Sequence, residues 1–268
     1  MGIMNLRNYI EKGSERSIEA KKNIISSVGL RLISILASLQ LVPLTIDYVS
    51  AEMYGIWLTL SSIIAWASYF DLGFSNGFRN RFAEARAKGD DLLAKKYLST
   101  TYAALTIVFT IIFLIISLAN TYVNWSNVLN VSQELNETIR SVFFILSFFF
   151  CLNFIVSIIN VFFTAMQKPA LSSFLQTMGQ VVALVAIFIL TKTTDANLSV
   201  LAFALSGMPC LLLMIFSFIF YRNKKFKIYA PSIRCVDFRL AKDIVFLGSK
   251  FFIITVSLVV IFQLINIL

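Results

Sequence analysis

Polar and apolar positions in this chain alternate on the scale of whole helices rather than of single residues. Seven apolar segments, Ile24–Ile46, Tyr54–Phe74, Leu98–Ala119, Ile139–Ala165, Ser172–Leu190, Leu198–Tyr221 and Ile244–Leu268, are separated by polar stretches. Each is long enough to cross about 30 Å of hydrocarbon at about 1.5 Å per residue. No two-residue alternation suggests a barrel, and in hydrocarbon a helix satisfies its own backbone. The pattern predicts an all-α polytopic membrane protein. Pro43 and Pro209 fall within the first and sixth segments, where neighbouring helices must cover the freed carbonyls.

Composition agrees: 58% of residues are hydrophobic, 14% are charged and the mean hydropathy is +0.82. The net charge of +9 would ordinarily raise nucleic acid as a partner. Its distribution points instead to topology and anionic lipid, with no nucleic acid expected. Residues 1–23 and the loops Phe78–Tyr97, Met166–Leu171 and Arg222–Asp243 hold 19 of the 23 Lys and Arg residues, and the opposite loops hold only Lys192. The N-terminus is therefore expected in the cytoplasm. The predicted divisions are a cytoplasmic segment 1–23, a six-helix bundle 24–221, a basic cytoplasmic linker 222–243 and a seventh helix 244–268. The chain has no histidine, which removes chemistry that requires one, and Cys151, Cys210 and Cys235 read as packing thiols. No metal site is expected. Three Asn-x-Ser/Thr triplets at Asn124, Asn130 and Asn136 read as chance in a loop rich in Asn and Ser.

Within the apolar segments, polar residues recur every three or four positions and so share helix faces. Ser27, Arg31, Ser34 and Ser38 do so in the first segment, and Thr59, Ser62 and Trp66 in the second. Asn153, Ser157, Asn160 and Thr164 do so in the fourth, and Ser173, Gln176 and Gln180 in the fifth. Such stripes serve either close helix packing or a polar cavity. Arg31 lies roughly 10 Å below the membrane edge, counted from Ile24 at about 1.5 Å per residue, and Lys250 has a similar depth in the seventh segment. A charge at that depth costs at least about 2.5 kcal/mol unless it meets water or a partner. The alternatives are a shared cavity for an anion or snorkelling to lipid phosphates. Sliding the first helix by 219 positions lays Gly29-Leu-Arg31 on Gly248-Ser-Lys250, which suggests a six-helix repeat.

The second segment ends in Asp71-Leu-Gly73-Phe-Ser-Asn-Gly77, which combines a helix-ending glycine, a small-xxx-small spacing and a carboxylate near the interface. Tyr54-Gly-Ile-Trp57, Phe70-Asp-Leu-Gly73, Asn76-Gly-Phe-Arg-Asn80, Ala83-Glu-Ala-Arg-Ala-Lys-Gly89 and Tyr97-Leu-Ser99 together resemble the bacterial polysaccharide flippases. These are the O-antigen and capsule repeat-unit translocases of the multidrug/oligosaccharidyl-lipid/polysaccharide exporter superfamily. The resemblance implies two six-helix bundles around a central cavity, alternating access, and a polyprenyl-diphosphate-linked oligosaccharide as substrate. It also implies a bacterial inner-membrane location and contact with other polysaccharide-assembly membrane proteins. Arg31 and Lys250 become candidate cavity cations, and Ser34, Ser38, Ser62, Asn153, Asn160, Gln176 and Gln180 candidate cavity-lining groups. Asp71, Gly73, Asn76, Gly77, Arg79 and Asn80 become the signature at a cytoplasmic gate. Family members continue to twelve or more helices, so this chain is expected to supply one transporter bundle plus the first helix of a second. No cofactor is expected beyond a coupling ion, Na+ or H+. The alternatives are an ion-coupled multidrug antiporter, which calls for deep carboxylates that this chain does not place, a membrane-embedded glycosyl- or acyltransferase, or a structural membrane segment.

Overall fold

The computed structural model describes residues 15–67 and 73–265. They form helices α1 (Glu15–Val49), α2 (Ala51–Ala67), α3 (Phe74–Ala87), α4 (Asp91–Tyr122), α5 (Trp125–Leu129), α6 (Asn136–Val156), α7 (Ile158–Ala165), α8 (Pro169–Thr193), α9 (Leu198–Ala202), α10 (Met208–Arg222) and α11 (Phe238–Ile265). No strand occurs among the described residues. Ser17–Val49, Asp91–Tyr122, Gln133–Ala165, Pro169–Thr193 and Leu198–Arg222 are each long and apolar enough to span a bilayer. The expected all-α polytopic architecture is therefore present.

Three expected spans carry a local irregularity. Gly73 adopts φ 73°, so the second apolar segment cannot run to Phe74 as one helix, and Phe74 opens α3 instead. The sixth segment widens into a π turn at Phe203–Gly207 ahead of Pro209. Proline has no N–H to return to the Leu205 carbonyl, and the wider turn absorbs that defect. The fourth segment is likewise divided at Ser157, between α6 and α7.

Helices α1 and α8 pack side by side and run parallel. Asn23 Nδ2 donates to the Gln167 carbonyl at 3.4 Å, Thr177 Oγ1 to the Leu30 carbonyl at 3.1 Å, and Ser34 Oγ to Gln180 Oε1. At the far end the Tyr48 and Thr194 hydroxyls lie 3.0 Å apart. The sequence separation stays between 144 and 147 along the whole seam. Both helices thus start on the same side, as the basic-loop count requires. Helices α4 and α6 form a second pair through rings, with Phe109 stacked on Phe154 at 4.3 Å.

At one end of the bundle, Phe82, Phe162, Phe163, Phe226 and Tyr229 form an aromatic core. It joins α3 and α7 to the 222–243 stretch, which is docked rather than loose. The Ser232 N–H donates to Ser99 Oγ at 3.1 Å, and Asp237 N–H to Thr100 Oγ1 at 3.0 Å. At the opposite end Asn124 Oδ1 accepts from the Asn127 N–H, and Asn136 Oδ1 from the Trp125 N–H. Asn130 closes α5 in the left-handed conformation at φ 54°, so capping accounts for all three asparagines in the triplets.

Helix α11 crosses the start of α3 at backbone contact. A methyl placed on Gly77 falls on the Ile244 carbonyl, and one on Gly73 or Gly248 falls on the other's backbone. Gly29, which the 219-residue shift pairs with Gly248, has nothing within 4 Å. The two glycines do different work, so the packing gives the repeat no support at this position. Gly77→Ala and Gly248→Ala should each destabilise the protein by about 1–3 kcal/mol or more, because the obstructing atoms are backbone. Gly29→Ala should be neutral, or should stabilise α1 by up to about 1 kcal/mol. Thermal unfolding of the detergent-solubilised protein measures the contrast.

Candidate functional site

The polar residues picked out by periodicity separate into three places. Ser34 and Gln180 meet in the α1–α8 seam, and Ser38 turns back to donate to the Ser34 carbonyl at 3.0 Å. Asn153 lines a cavity of about 460 Å³ with Trp57, Ser61, Ser157 and Ser206. This cavity sits where the Ser157 break faces the π turn, so both helix irregularities open onto it. Trp57 Nε1 and Ser61 Oγ are buried without hydrogen-bond partners. Ser62, one position along, is exposed and lies outside that lining. The α2 residues on this cavity are Trp57 and, four residues on, Ser61, so the face that lines it is offset from the one that carries Ser62.

Asn160 and Gln176 lie in the third place, together with Asn76 and Arg79 of the signature run. These side chains line an open recess of about 190 Å³ between the start of α3, the end of α7 and the first turns of α8. Ser75, Val161, Thr164 and Ser172 complete it. Ser75 and Ser172 were missed as site residues because they stand where segments begin, and periodicity gives their facing no signal. Asn160 is only 9% exposed, and its Oδ1 has no partner. Gly73 and Gly77 serve the α11 crossing rather than the recess, and Asn80 stays outside it. Asp71 lies outside the described residues.

The charges on α3 are divided among different neighbours. Arg81 Nη1 is 3.1 Å and Lys88 Nζ 2.8 Å from the Glu84 carboxylate. Hydrogen bonds from Lys88 and then Arg81 hold that carboxyl below its ordinary range. Arg86 lies beside the Tyr229–Asp91 pair. Arg79 has neither an ion pair nor a hydrogen bond among the described residues, and it faces the recess.

Arg31 and Lys250 are both exposed. Arg31 is one turn before Ser34, and the seam's register puts it level with Thr177. Lys250 Nζ lies 4.9 Å from the centroid of the Phe246 ring. Helix α11 packs on α3 and α4, whereas α1 packs on α8 and α2, so the two cations are not brought together within this bundle.

These spans, with polar faces held inside an apolar bundle, define a multi-pass helical membrane protein. Residues 20–268 match the family described as polysaccharide biosynthesis protein, and the chain belongs to that family. No curated protein and no solved structure matches it.

The docked linker carries a pH dependence. Tyr229 donates to Asp91 Oδ1 at 2.5 Å. Burial, followed by that hydrogen bond, raises the phenol's pKa above its ordinary value of about 10. A raised folded-state value means that this contribution to stability is fully present below pH about 10. It is lost as pH climbs through the raised value. Proteolysis within 222–243 should therefore accelerate above pH about 10 in the native chain. Tyr229→Phe should show higher proteolysis already at pH 8 and a flatter rise above it.

Proposed function

We propose that the chain acts in a flippase that moves a polyprenyl-diphosphate-linked oligosaccharide across the bacterial inner membrane by alternating access, with its N-terminus in the cytoplasm. The observation that carries this reading is membership of the polysaccharide biosynthesis family across residues 20–268, in a fold made of membrane-spanning helices. Translocation needs polar surface inside an apolar bundle; the α1–α8 seam, the recess at the start of α3 and the Ser61, Asn153, Ser157 and Ser206 patch of the otherwise apolar larger cavity support the reading. On this reading the work is transport without covalent chemistry, coupled to Na+ or H+, and the partners are the lipid-linked oligosaccharide, anionic lipids and other polysaccharide-assembly membrane proteins. Arg31 and Lys250 hold the substrate diphosphate from two sides of a path that opens between them.

A charge-assisted hydrogen bond is worth about 1.5–3 kcal/mol, so losing one corresponds to about tenfold or more in rate. Arg31→Gln and Lys250→Gln should each lower surface glycan in cells that depend on this protein, at unchanged membrane abundance. Arg81→Gln, which only loosens an exposed pair with Glu84, should leave it unchanged. Normal glycan in the Arg31/Lys250 double variant would refute the cavity role.

A further inference from the structure

The recess at the start of α3 has the composition of an anion site at a membrane surface. Among the described residues its single charged group is the Arg79 guanidinium, and none of them brings a carboxylate to it. Asn76, Asn160 and Gln176 add amide donors, and Ser75 and Ser172 add hydroxyls. Arg81, Lys88 and Arg86 are engaged elsewhere, so the positive field of Arg79 is not cancelled by a described partner. The first turn of α3 contributes Ser75 and Asn76, and Gly73 gives that helix no side-chain cap. N–H groups in a first turn have no intrahelical acceptor, and they favour negative charge.

Two further facts point the same way. Asn160 is more than nine-tenths buried and lines the recess; its Oδ1 is buried without a partner and its Nδ2 donates to no described residue. A buried amide in that condition costs about 1–3 kcal/mol: water or a protonated phosphate oxygen answers the Oδ1 acceptor, and an anion answers the Nδ2 donor. The recess also lies at the end of the bundle where lysines collect. Asn23 bonds the Gln167 carbonyl, which brings the basic start of α1 beside Lys168. Lipid phosphates lie at that level of a bilayer.

We propose that this recess binds a lipid-borne phosphate, with Arg79 as its cation and Asn76, Asn160 and Gln176 as its amide donors. The assignment of that lipid to the transported substrate rests on the flippase reading. There the recess is the first station for the polyprenyl diphosphate. The α1–α8 seam then carries polar groups onward, because Gln176 in the recess is one turn from Gln180, which is bonded to Ser34.

Native mass spectrometry of the full chain, released from nanodiscs, tests this with three probes: a polyprenyl diphosphate, the matching polyprenol and phosphatidylglycerol. The diphosphate should be retained at least about tenfold better than the polyprenol, as expected for charge-assisted contacts. Arg79→Gln should abolish that preference. Gln176→Glu, at an exposed position that keeps its charge, should reverse it by repulsion. Arg79→Lys should keep part of it, and Arg81→Gln all of it. Unchanged elution and melting of each variant separate loss of binding from loss of fold. Retention of the diphosphate above phosphatidylglycerol supports the substrate assignment, and equal, Arg79-dependent retention supports the phosphate site while overturning that assignment. Polyprenol binding as well as the diphosphate, or no dependence on Arg79, overturns the site itself. Binding is read without translocation, so this outcome and the glycan outcome for Arg31 and Lys250 are independent.

Discussion

The backbone crossing of α3 by α11 is the constraint on which the α3 end of this bundle depends. Between helices in or near lipid there is no hydrophobic gain from association, so close packing of small residues must supply the contact. Gly73 and Gly77 on one side, and Ile244 and Gly248 on the other, let the two backbones touch. The crossing sets the direction of α3, and each of its other faces then has one assignment. Phe74, Phe78 and Phe82 enter the buried core. Ser75, Asn76 and Arg79 are left toward α7 and α8. A side chain at either glycine would lift α3 away and withdraw Arg79 from Asn160, with no change in charge at all.

The parallel seam of α1 and α8 is a different kind of interface. It is held by hydroxyl and amide groups at steps that match from end to end, and it leaves most of α1 uncovered: only 6% of its apolar window is buried. Ile24, Val28, Leu32, Leu36 and Leu39 face outward together with Arg31. A helix with one polar seam and one open apolar face is anchored on a single side. Such an element can move against the rest at low cost in buried area.

Long apolar runs, the same-side starts of α1 and α8, and the turn at Gly73 were legible in the sequence, because each follows from a strong local signal: hydrophobic length, charge between segments, or a residue without a Cβ. The assignment of polar stripes to sites was not. A stripe on a membrane helix runs past several neighbours, so Asn153 and Asn160 share a face yet open into different cavities, with the Ser157 break between them. The docking of 222–243 was hidden for another reason. Its seven basic residues dominate the reading, while Phe226 and Tyr229 that bury it are too few to form a period.

Arg31 and Arg79 share a chemistry but differ in setting, and the difference follows from what surrounds each. Arg79 sits among amides and hydroxyls near the bundle end, where an anion can arrive with much of its hydration intact. Arg31 stands deeper, on an outward face of α1 flanked by Leu30 and Leu32, where an uncompensated charge is costly in hydrocarbon. The hydrogen-bonded seam runs between these two levels. Gln176, Thr177 and Gln180 on α8 alternate with Leu30 and Ser34 on α1, so successive polar atoms are about one helical turn apart. On the proposed function, the donors of that line are the Ser34 and Thr177 hydroxyls and the Gln176 and Gln180 amides, whereas the Leu30 carbonyl is an acceptor.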